Sequence, residues 1–112
     1  MKEFIAYLET KIAEGKAEIV TLEAGGRKDD ANFARIRTNI YDVCRTVSLT
    51  LVDRPGAGIS AVRAQLDRFR TQWGAALEKA RQHANINAVA VEETKLTALE
   101  DIIARFQEVT GA

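Results

Sequence analysis

Apolar residues recur along most of this chain at alternating spacings of three and four, which is the period of an amphipathic α-helix. The pattern is interrupted at three places where glycine, proline or asparagine clusters. The interruptions are Gly25–Gly26, residues 53–58 with the single proline, and residues 85–87. They divide the chain into four segments of similar length, so the sequence predicts four helices joined by short loops.

Each segment places its apolar residues in a stripe along one side of the predicted helix. The first stripe is Ile5, Leu8, Ile12, Gly15, Ile19 and Leu22, and the second is Phe33, Ile36, Ile40, Val43, Val47 and Leu51. The third is Ile59, Val62, Leu66, Phe69, Trp73, Leu77 and Ala80, and the fourth is Val89, Leu96, Leu99, Ile103 and Phe106, widened by Ile102 and Val109. Four such helices predict an all-α, antiparallel (up-down-up-down) four-helix bundle, with residues 1–112 as one domain.

Residues at the interruptions predict where the helices begin and end. Glycine favours the left-handed conformation that ends many helices, so Gly25–Gly26 is the predicted end of the first helix. Aspartate and asparagine are preferred N-caps. Asp29 or Asp30 is therefore the predicted N-cap of the second helix, and Asn87 that of the fourth.

Two alternatives to this architecture are compatible with the sequence. Residues 46–52 are rich in β-branched side chains and partly alternate, which favours a strand. The helical spacing of Val43, Val47 and Leu51 continues through them, so we predict a helix there. The second alternative is that helical hairpins from two chains associate and build the same core as a dimer.

Three residues suggest specific packing or contacts. Gly15 lies on the first stripe, and Trp73 lies at a similar height on the third. We expect the indole of Trp73 to fill the space beside Gly15, or else Gly15 to permit close helix approach at a dimer seam. Tyr41 lies outside the second stripe, which makes it a candidate anchor for a partner.

The composition indicates a helical protein that folds without disulfide bonds or structural metal ions. Hydrophobic residues make up 46% of the chain and charged residues 29%. Cys44 is the single cysteine, so an intrachain disulfide is excluded, as is usual in a reducing compartment. The sequence contains neither an apolar run long enough for a transmembrane helix nor a signal peptide. We therefore expect a cytoplasmic protein that does not enter a membrane.

The formal net charge is zero, but the charge differs from segment to segment. Residues 1–24 contain three basic and five acidic residues, a net charge of −2, and residues 25–56 contain six and four, a net charge of +2. Residues 57–84 contain five and two, a net charge of +3, and residues 85–112 contain two and five, a net charge of −3. The outer helices are therefore acidic and the inner two basic, which predicts opposite-sign interfaces between helices 1 and 2 and between helices 3 and 4.

The basic residues of helices 2 and 3 are the candidate binding residues. This possible partner-binding basic face consists of Arg35, Arg37, Arg45, Arg63, Arg68, Arg70, Lys79 and Arg81. Such a face would bind an acidic protein partner, support head-to-tail self-association, or contact nucleic acid. The competing interpretation is a solvated surface whose charges are paired locally, as the spacing of Arg63, Asp67 and Arg70 favours.

The sequence lacks the residues for several kinds of site that helical bundles and related domains contain, namely metal, phosphotransfer and phosphate-binding sites. One histidine cannot supply the two Glu-x-x-His motifs of a di-iron site, and the chain has too few Cys and His residues for zinc. The size and predicted architecture resemble histidine-containing phosphotransfer domains, but His83 lies at a predicted helix end, followed by Ala84-Asn85 rather than Lys and Gly. The residues around Gly56 and Gly58 lack a phosphate-binding spacing. Cys44 lies beside the core stripe and is predicted to be structural.

These observations predict a small non-catalytic helical-bundle module for protein–protein interaction or structure that self-associates, without metal, cofactor or small-molecule ligand. The expected partner is a protein, a second copy of the chain, or both. The alternative is a nucleic-acid-binding module that uses the basic residues of helices 2 and 3. The sequence leaves open whether the chain is a monomer or a dimer, and what the partner is.

Overall fold

Four long helices make up most of the chain in the computed structural model, which describes residues 1–56 and 58–112. They are α1 (Lys2–Ala24), α2 (Lys28–Val52), α3 (Gly58–Gln82) and α4 (Ile86–Thr110). The predicted all-α antiparallel four-helix bundle is confirmed, and residues 46–52 are helical rather than extended. Ala57, in the second predicted interruption, lies outside the described residues.

Helices α2 and α4 pack directly against each other across the bundle. Each of them contacts all three other helices, whereas no contact joins α1 to α3 within the described residues. The four helices therefore lie at the corners of a rhombus whose short diagonal joins α2 and α4. The molecule measures 46 × 35 × 21 Å, and its radius of gyration is 15.1 Å. A globular domain of this length has a radius of gyration of about 13 Å, so this bundle is more elongated and flatter than an average domain.

The large buried side chains are concentrated at one end of the bundle. At this end, the core end, α1 and α3 begin and α2 and α4 finish. The buried cluster comprises Phe4, Leu8, Ile12, Ile40, Tyr41, Cys44, Val62, Leu66, Ala98, Leu99, Ile102, Ile103 and Phe106. The opposite end, the open end, consists of residues 15–37 of the first hairpin and residues 70–97 of the second. Its buried residues are mostly small, and include Ala31, Ala34 and Ala80.

The buried side of α2 differs from the predicted stripe. The most buried residues of α2 include Ala31, Ala34, Thr38, Tyr41, Cys44 and Ser48, whereas Phe33, Ile36, Val43, Val47 and Leu51 are half-buried. Of the predicted stripe, only Ile40 is fully buried. The reason is that α2 is a central helix: its small and polar side facing α1 is enclosed, and its apolar stripe is only partly covered by α3 and α4.

Gly15 permits close approach of α1 and α2 within one chain. A Cβ atom at Gly15 would overlap the Oγ1 of Thr38 and lie 3.0 Å from its Cβ. Thr38 is itself fixed, because its hydroxyl donates a hydrogen bond of 2.7 Å to the carbonyl of Ala34. The prediction that Trp73 fills this space is wrong, since α1 and α3 do not meet. Trp73 instead stacks on Phe69, with ring centroids 4.8 Å apart.

Tyr41 is buried in the core and does not offer its ring to a partner, contrary to its interpretation as an anchor. Its ring contacts that of Tyr7 edge to face, with centroids 6.1 Å apart. Burial raises the pKa of both phenols. Tyr41 therefore ties α2 to α1 inside the molecule.

The first and third helices end in the same backbone motif. The N–H of Arg27 donates to the carbonyl of Leu22, and Gly26 adopts φ = +72°. The N–H of Asn85 likewise donates to the carbonyl of Ala80, with Ala84 at φ = +51°. These are Schellman motifs, in which a left-handed residue satisfies the last carbonyls of a helix. The predicted glycine end of α1 is thus confirmed at Gly26.

Helix N-termini differ from the predictions by a few residues. The N-cap of α4 is Asn85, not Asn87: its side chain accepts a hydrogen bond of 3.1 Å from the N–H of Ala88. The N-cap position of α2 is Arg27, and Asp29 and Asp30 lie within the first turn. Asp30 remains favourable there, because a carboxylate stabilises the positive end of the helix dipole.

Gly15 and Gly74 should respond in opposite ways to substitution by alanine. Alanine is the better helix former by about 1 kcal/mol, but a Cβ at Gly15 collides with Thr38. We expect Gly15→Ala to lower the free energy of unfolding by about 1–3 kcal/mol through overpacking. Gly74→Ala should raise it by about 0.5–1 kcal/mol, since no atom lies within 4 Å of the added Cβ. Urea unfolding measures both, and destabilisation of both variants would contradict this packing.

Ala84 and Gly26 provide a second matched pair. A non-glycine residue in the left-handed region is disfavoured by about 1 kcal/mol or more. Ala84→Gly should therefore stabilise the protein by up to about 1 kcal/mol, and Gly26→Ala should destabilise it by a similar amount. Thermal and urea unfolding of the two variants test this prediction. A loss of stability in Ala84→Gly would show that the α3–α4 turn is not formed this way.

Candidate interaction surface

The basic residues of α2 are paired with acidic residues of α1. All three candidate arginines on this helix contact glutamates on α1, at half-exposed positions. The pairs are Arg35–Glu23, Arg37–Glu18 with a nitrogen–oxygen distance of 3.0 Å, and Arg45–Glu9 with 3.7 Å. The predicted opposite-sign interface between helices 1 and 2 therefore contains three interhelical ion pairs.

The basic residues of α3 are paired mainly with α4 or within α3 itself. Arg70 binds both carboxylate oxygens of Glu100, at 2.8 and 2.9 Å. The other contacts of the α3 candidates are Arg81–Glu93 at 3.5 Å, Arg63–Asp67 at 3.2 Å, and hydrogen bonds from Arg68 to Gln65 at 2.9 and 3.3 Å. Lys79 lies exposed in the last turn of α3, where a cation is favourable for the helix dipole.

The eight candidate basic residues make their ion pairs and hydrogen bonds with different elements. Those of α2 turn towards α1, and Arg70 and Arg81 turn towards α4. Six of the eight form ion pairs with carboxylates of the chain. Such pairs are what the interpretation of a locally paired surface predicts, and binding by these residues stays a prediction.

Exposed apolar side chains lie at both ends of the bundle. Ile86, the first residue of α4, is 83% exposed, and Val20 near the end of α1 is 68% exposed. Both belong to the open end. At the core end, Leu49 and Ile59 are 41% and 40% exposed. The most exposed large apolar residues are therefore found where the buried core is thinnest.

A groove lies between α2 and α4 at the open end. It has a volume of 290 Å³, and we name it the open-end groove. Its lining residues are Asp29, Asn32, Phe33, Ile36, Asn87 and Val91. Phe33, Ile36 and Val91 are half-buried. The groove thus has an apolar floor and a polar rim, which is the composition of a protein-binding surface.

Phe33 also lines a second groove of 420 Å³ on the other side of the α2–α4 contact. The remaining lining residues are Arg37, Ala90, Glu93, Thr94 and Thr97. This groove is more polar, and its two charged residues are paired with Glu18 and Arg81 respectively. The two grooves exist because α2 and α4 touch directly, so that a channel remains on each side of their contact.

The candidate reactive groups are placed as the sequence predicts. Cys44 is fully buried, and burial raises the pKa of its thiol to about 12, so it is a neutral thiol at physiological pH. His83 follows the last residue of α3, with Nδ1 2.8 Å from the carbonyl oxygen of Lys79. Within residues 1–56 and 58–112, no three His, Cys, Asp or Glu side chains are grouped closely enough to hold a metal ion.

Sequence reasoning missed Ile86 and the open-end groove. The available signal was an apolar residue directly after an asparagine cap and outside the α4 stripe, which places it on the solvent side of a first helical turn. The groove itself has no local signal, because it is formed by residues about 55 positions apart in sequence. None of the four described helices is apolar over a sufficient length to cross a membrane.

Comparison of the chain with protein families, with curated proteins and with solved structures finds no match.

The ion pairs predict which arginines support the fold. Arg70→Gln removes a two-point contact with Glu100 and should lower the free energy of unfolding by about 0.5–1 kcal/mol at low salt. Arg68→Gln is the matched control, since the side-chain hydrogen bonds of Arg68 within the described residues go to the neutral Gln65, and its effect should stay within about 0.5 kcal/mol. The difference between the variants should shrink at high salt, because salt screens exposed charges. Equal effects at both positions would contradict the assignment.

Proposed function

We propose that this chain is a non-catalytic helical-bundle module that functions through protein–protein interaction and associates with itself. The observation that supports this most strongly is the open end, which carries the two most exposed large apolar residues, Ile86 and Val20, and a groove with an apolar floor between α2 and α4. Exposed apolar residues that cluster beside a groove mark interaction surfaces more often than isolated ones do. The two ends of the bundle differ in this respect, since the large buried side chains are at the core end.

The charge arrangement supports a protein partner over a nucleic acid. Binding to phosphates requires cations that are available to neutralise them. In this chain the candidate arginines of α2 are engaged by α1, and Arg70 and Arg81 are engaged by α4. A nucleic acid would have to displace these carboxylates, whereas an apolar contact at the open end leaves every ion pair in place.

Self-association is tested by the mass of the protein in solution. We expect sedimentation velocity and light scattering, over a micromolar-to-millimolar series, to show a reversible rise from monomer towards a discrete oligomer. Association through apolar contacts should persist or strengthen as salt is added. A monomer at every concentration would contradict self-association. Tight binding of a labelled oligonucleotide at low salt, lost at high salt, would favour the nucleic-acid alternative instead.

A further inference from the structure

We propose that a pocket between α1, α2 and α4 binds a small primary amine, with the ammonium group held by Asp101 and by the hydroxyl of Tyr41. We name it the three-helix pocket. Its volume is 200 Å³, and it shares no lining residue with the open-end groove. Such a ligand goes beyond the proposed function, and its binding does not depend on self-association. The sequence alone predicts no small-molecule ligand, since the pocket residues are spread over three helices and form no motif.

The buried wall of the three-helix pocket consists of a glycine and two residues with hydroxyl groups. Gly15 and Thr38, where α1 and α2 approach each other closely, line the pocket together with Tyr41. Thr38 and Tyr41 are 9% and 6% exposed, so their positions are fixed by packing. The Thr38 hydroxyl donates its hydrogen to the carbonyl of Ala34, so its oxygen can only accept a further hydrogen bond. This wall therefore favours a ligand that donates hydrogen bonds.

The charged residues around the pocket leave one carboxylate without a cation. Three acidic and two basic side chains line the pocket, which gives it a net charge of −1. Arg37 contacts both carboxylate oxygens of Glu18 at 3.0 Å, and the ammonium of Lys11 lies 3.9 Å from Glu14. Within residues 1–56 and 58–112, Asp101 forms neither an ion pair nor a side-chain hydrogen bond. A cation beside Asp101 would therefore complete the charge balance of the pocket.

The carboxylate of Asp101 and the phenol of Tyr41 face the same pocket and interact with each other. Burial is the main reason why the pKa of Tyr41 is raised, and the negative charge of Asp101 raises it further. The phenol is therefore neutral at physiological pH and keeps a hydroxyl whose oxygen accepts hydrogen bonds. An ammonium group has three N–H donors, which match the acceptors of Asp101, Tyr41 and Thr38.

The size and charge of the pocket limit the ligand to a short cation. One water molecule occupies about 30 Å³ of the liquid, so the 200 Å³ of the pocket holds roughly six non-hydrogen atoms. A metal ion is a poorer match, because within the described residues no three His, Cys, Asp or Glu side chains are grouped closely enough to hold one. The net negative charge of the lining disfavours an anion. A short aliphatic amine matches both the volume and the charge.

The test is a titration followed by two-dimensional NMR, which measures weak binding and locates it in the chain. Butylamine, which is protonated at neutral pH, is the probe. Tetramethylammonium is its control, because it has the same charge and the same number of non-hydrogen atoms but no N–H group. We expect butylamine to shift the amide signals of Gly15, Thr38 and Asp101 until they saturate. Tetramethylammonium should bind at least about fivefold more weakly, since it cannot form charge-assisted hydrogen bonds.

Two variants test the groups that hold the ammonium. Asp101→Asn removes the unpaired carboxylate and keeps the shape of the side chain, so it should raise the Kd for butylamine at least about tenfold. Asp29→Asn is the matched control, because Asp29 is also exposed and has no ion pair within the described residues, but it lies at the open end. Its Kd should stay within about twofold of the parent. Tyr41→Phe keeps the packed ring and should raise the Kd by about threefold or more.

Saturable shifts at the pocket that are lost in Asp101→Asn would support the amine site. It is overturned if butylamine causes no saturable shifts, or if tetramethylammonium, magnesium chloride or sodium butyrate binds there equally well. Equal binding of butylamine by Asp101→Asn and the parent also overturns it. Asp101 is exposed and unpaired, so this variant should stay folded and decide the question even if Tyr41→Phe does not fold. None of these outcomes bears on self-association, which the mass in solution tests separately.

Discussion

Direct packing of α2 against α4 is the constraint on which the rest of this bundle depends. In a square arrangement these two helices would face each other diagonally across a shared core. Here they touch, so α1 and α3 are separated and each packs on one side of the central pair. The flattened shape and the two grooves beside Phe33 follow from this contact. The small residues Ala31 and Ala34 are buried on the other side of α2, which faces α1.

Charge and packing act at different levels in this fold. The ion pairs between α1 and α2 and between α3 and α4 are exposed, and each contributes about 0–1 kcal/mol, so they do not hold the core together. They do favour the pairing of α1 with α2 and of α3 with α4. The contacts between the hairpins are mainly apolar, as where Phe4 meets Phe106 with ring centroids 5.1 Å apart. The molecule is thus two charge-matched hairpins joined by an apolar seam.

Much of the fold could be predicted from the sequence, because helix periodicity and turn residues are local signals. Four helices, their approximate limits and the glycine end of α1 follow from such signals. The buried side of α2 could not be predicted this way. Tyr41, Cys44 and Ser48 lie outside the apolar stripe and are buried because neighbouring helices cover them. The position of Trp73 could not be predicted without knowing the rhombic packing, in which α1 and α3 do not touch. Similarly, the charge of each helix predicted the ion-paired interfaces, but the open-end groove depends on tertiary packing alone.

The concentration of large side chains at the core end has a consequence for the internal motions of the protein. The free energy of a local opening depends on how much packed surface it breaks, so it is not uniform along these helices. We expect backbone amides around Leu99 and Ile103 to exchange with solvent only when the whole bundle unfolds, because these residues lie in the buried cluster. We expect amides in the second half of α1 and the first half of α4 to exchange through smaller openings that leave the core end intact. Each helix would then pass from a more stable half of the bundle to a less stable one.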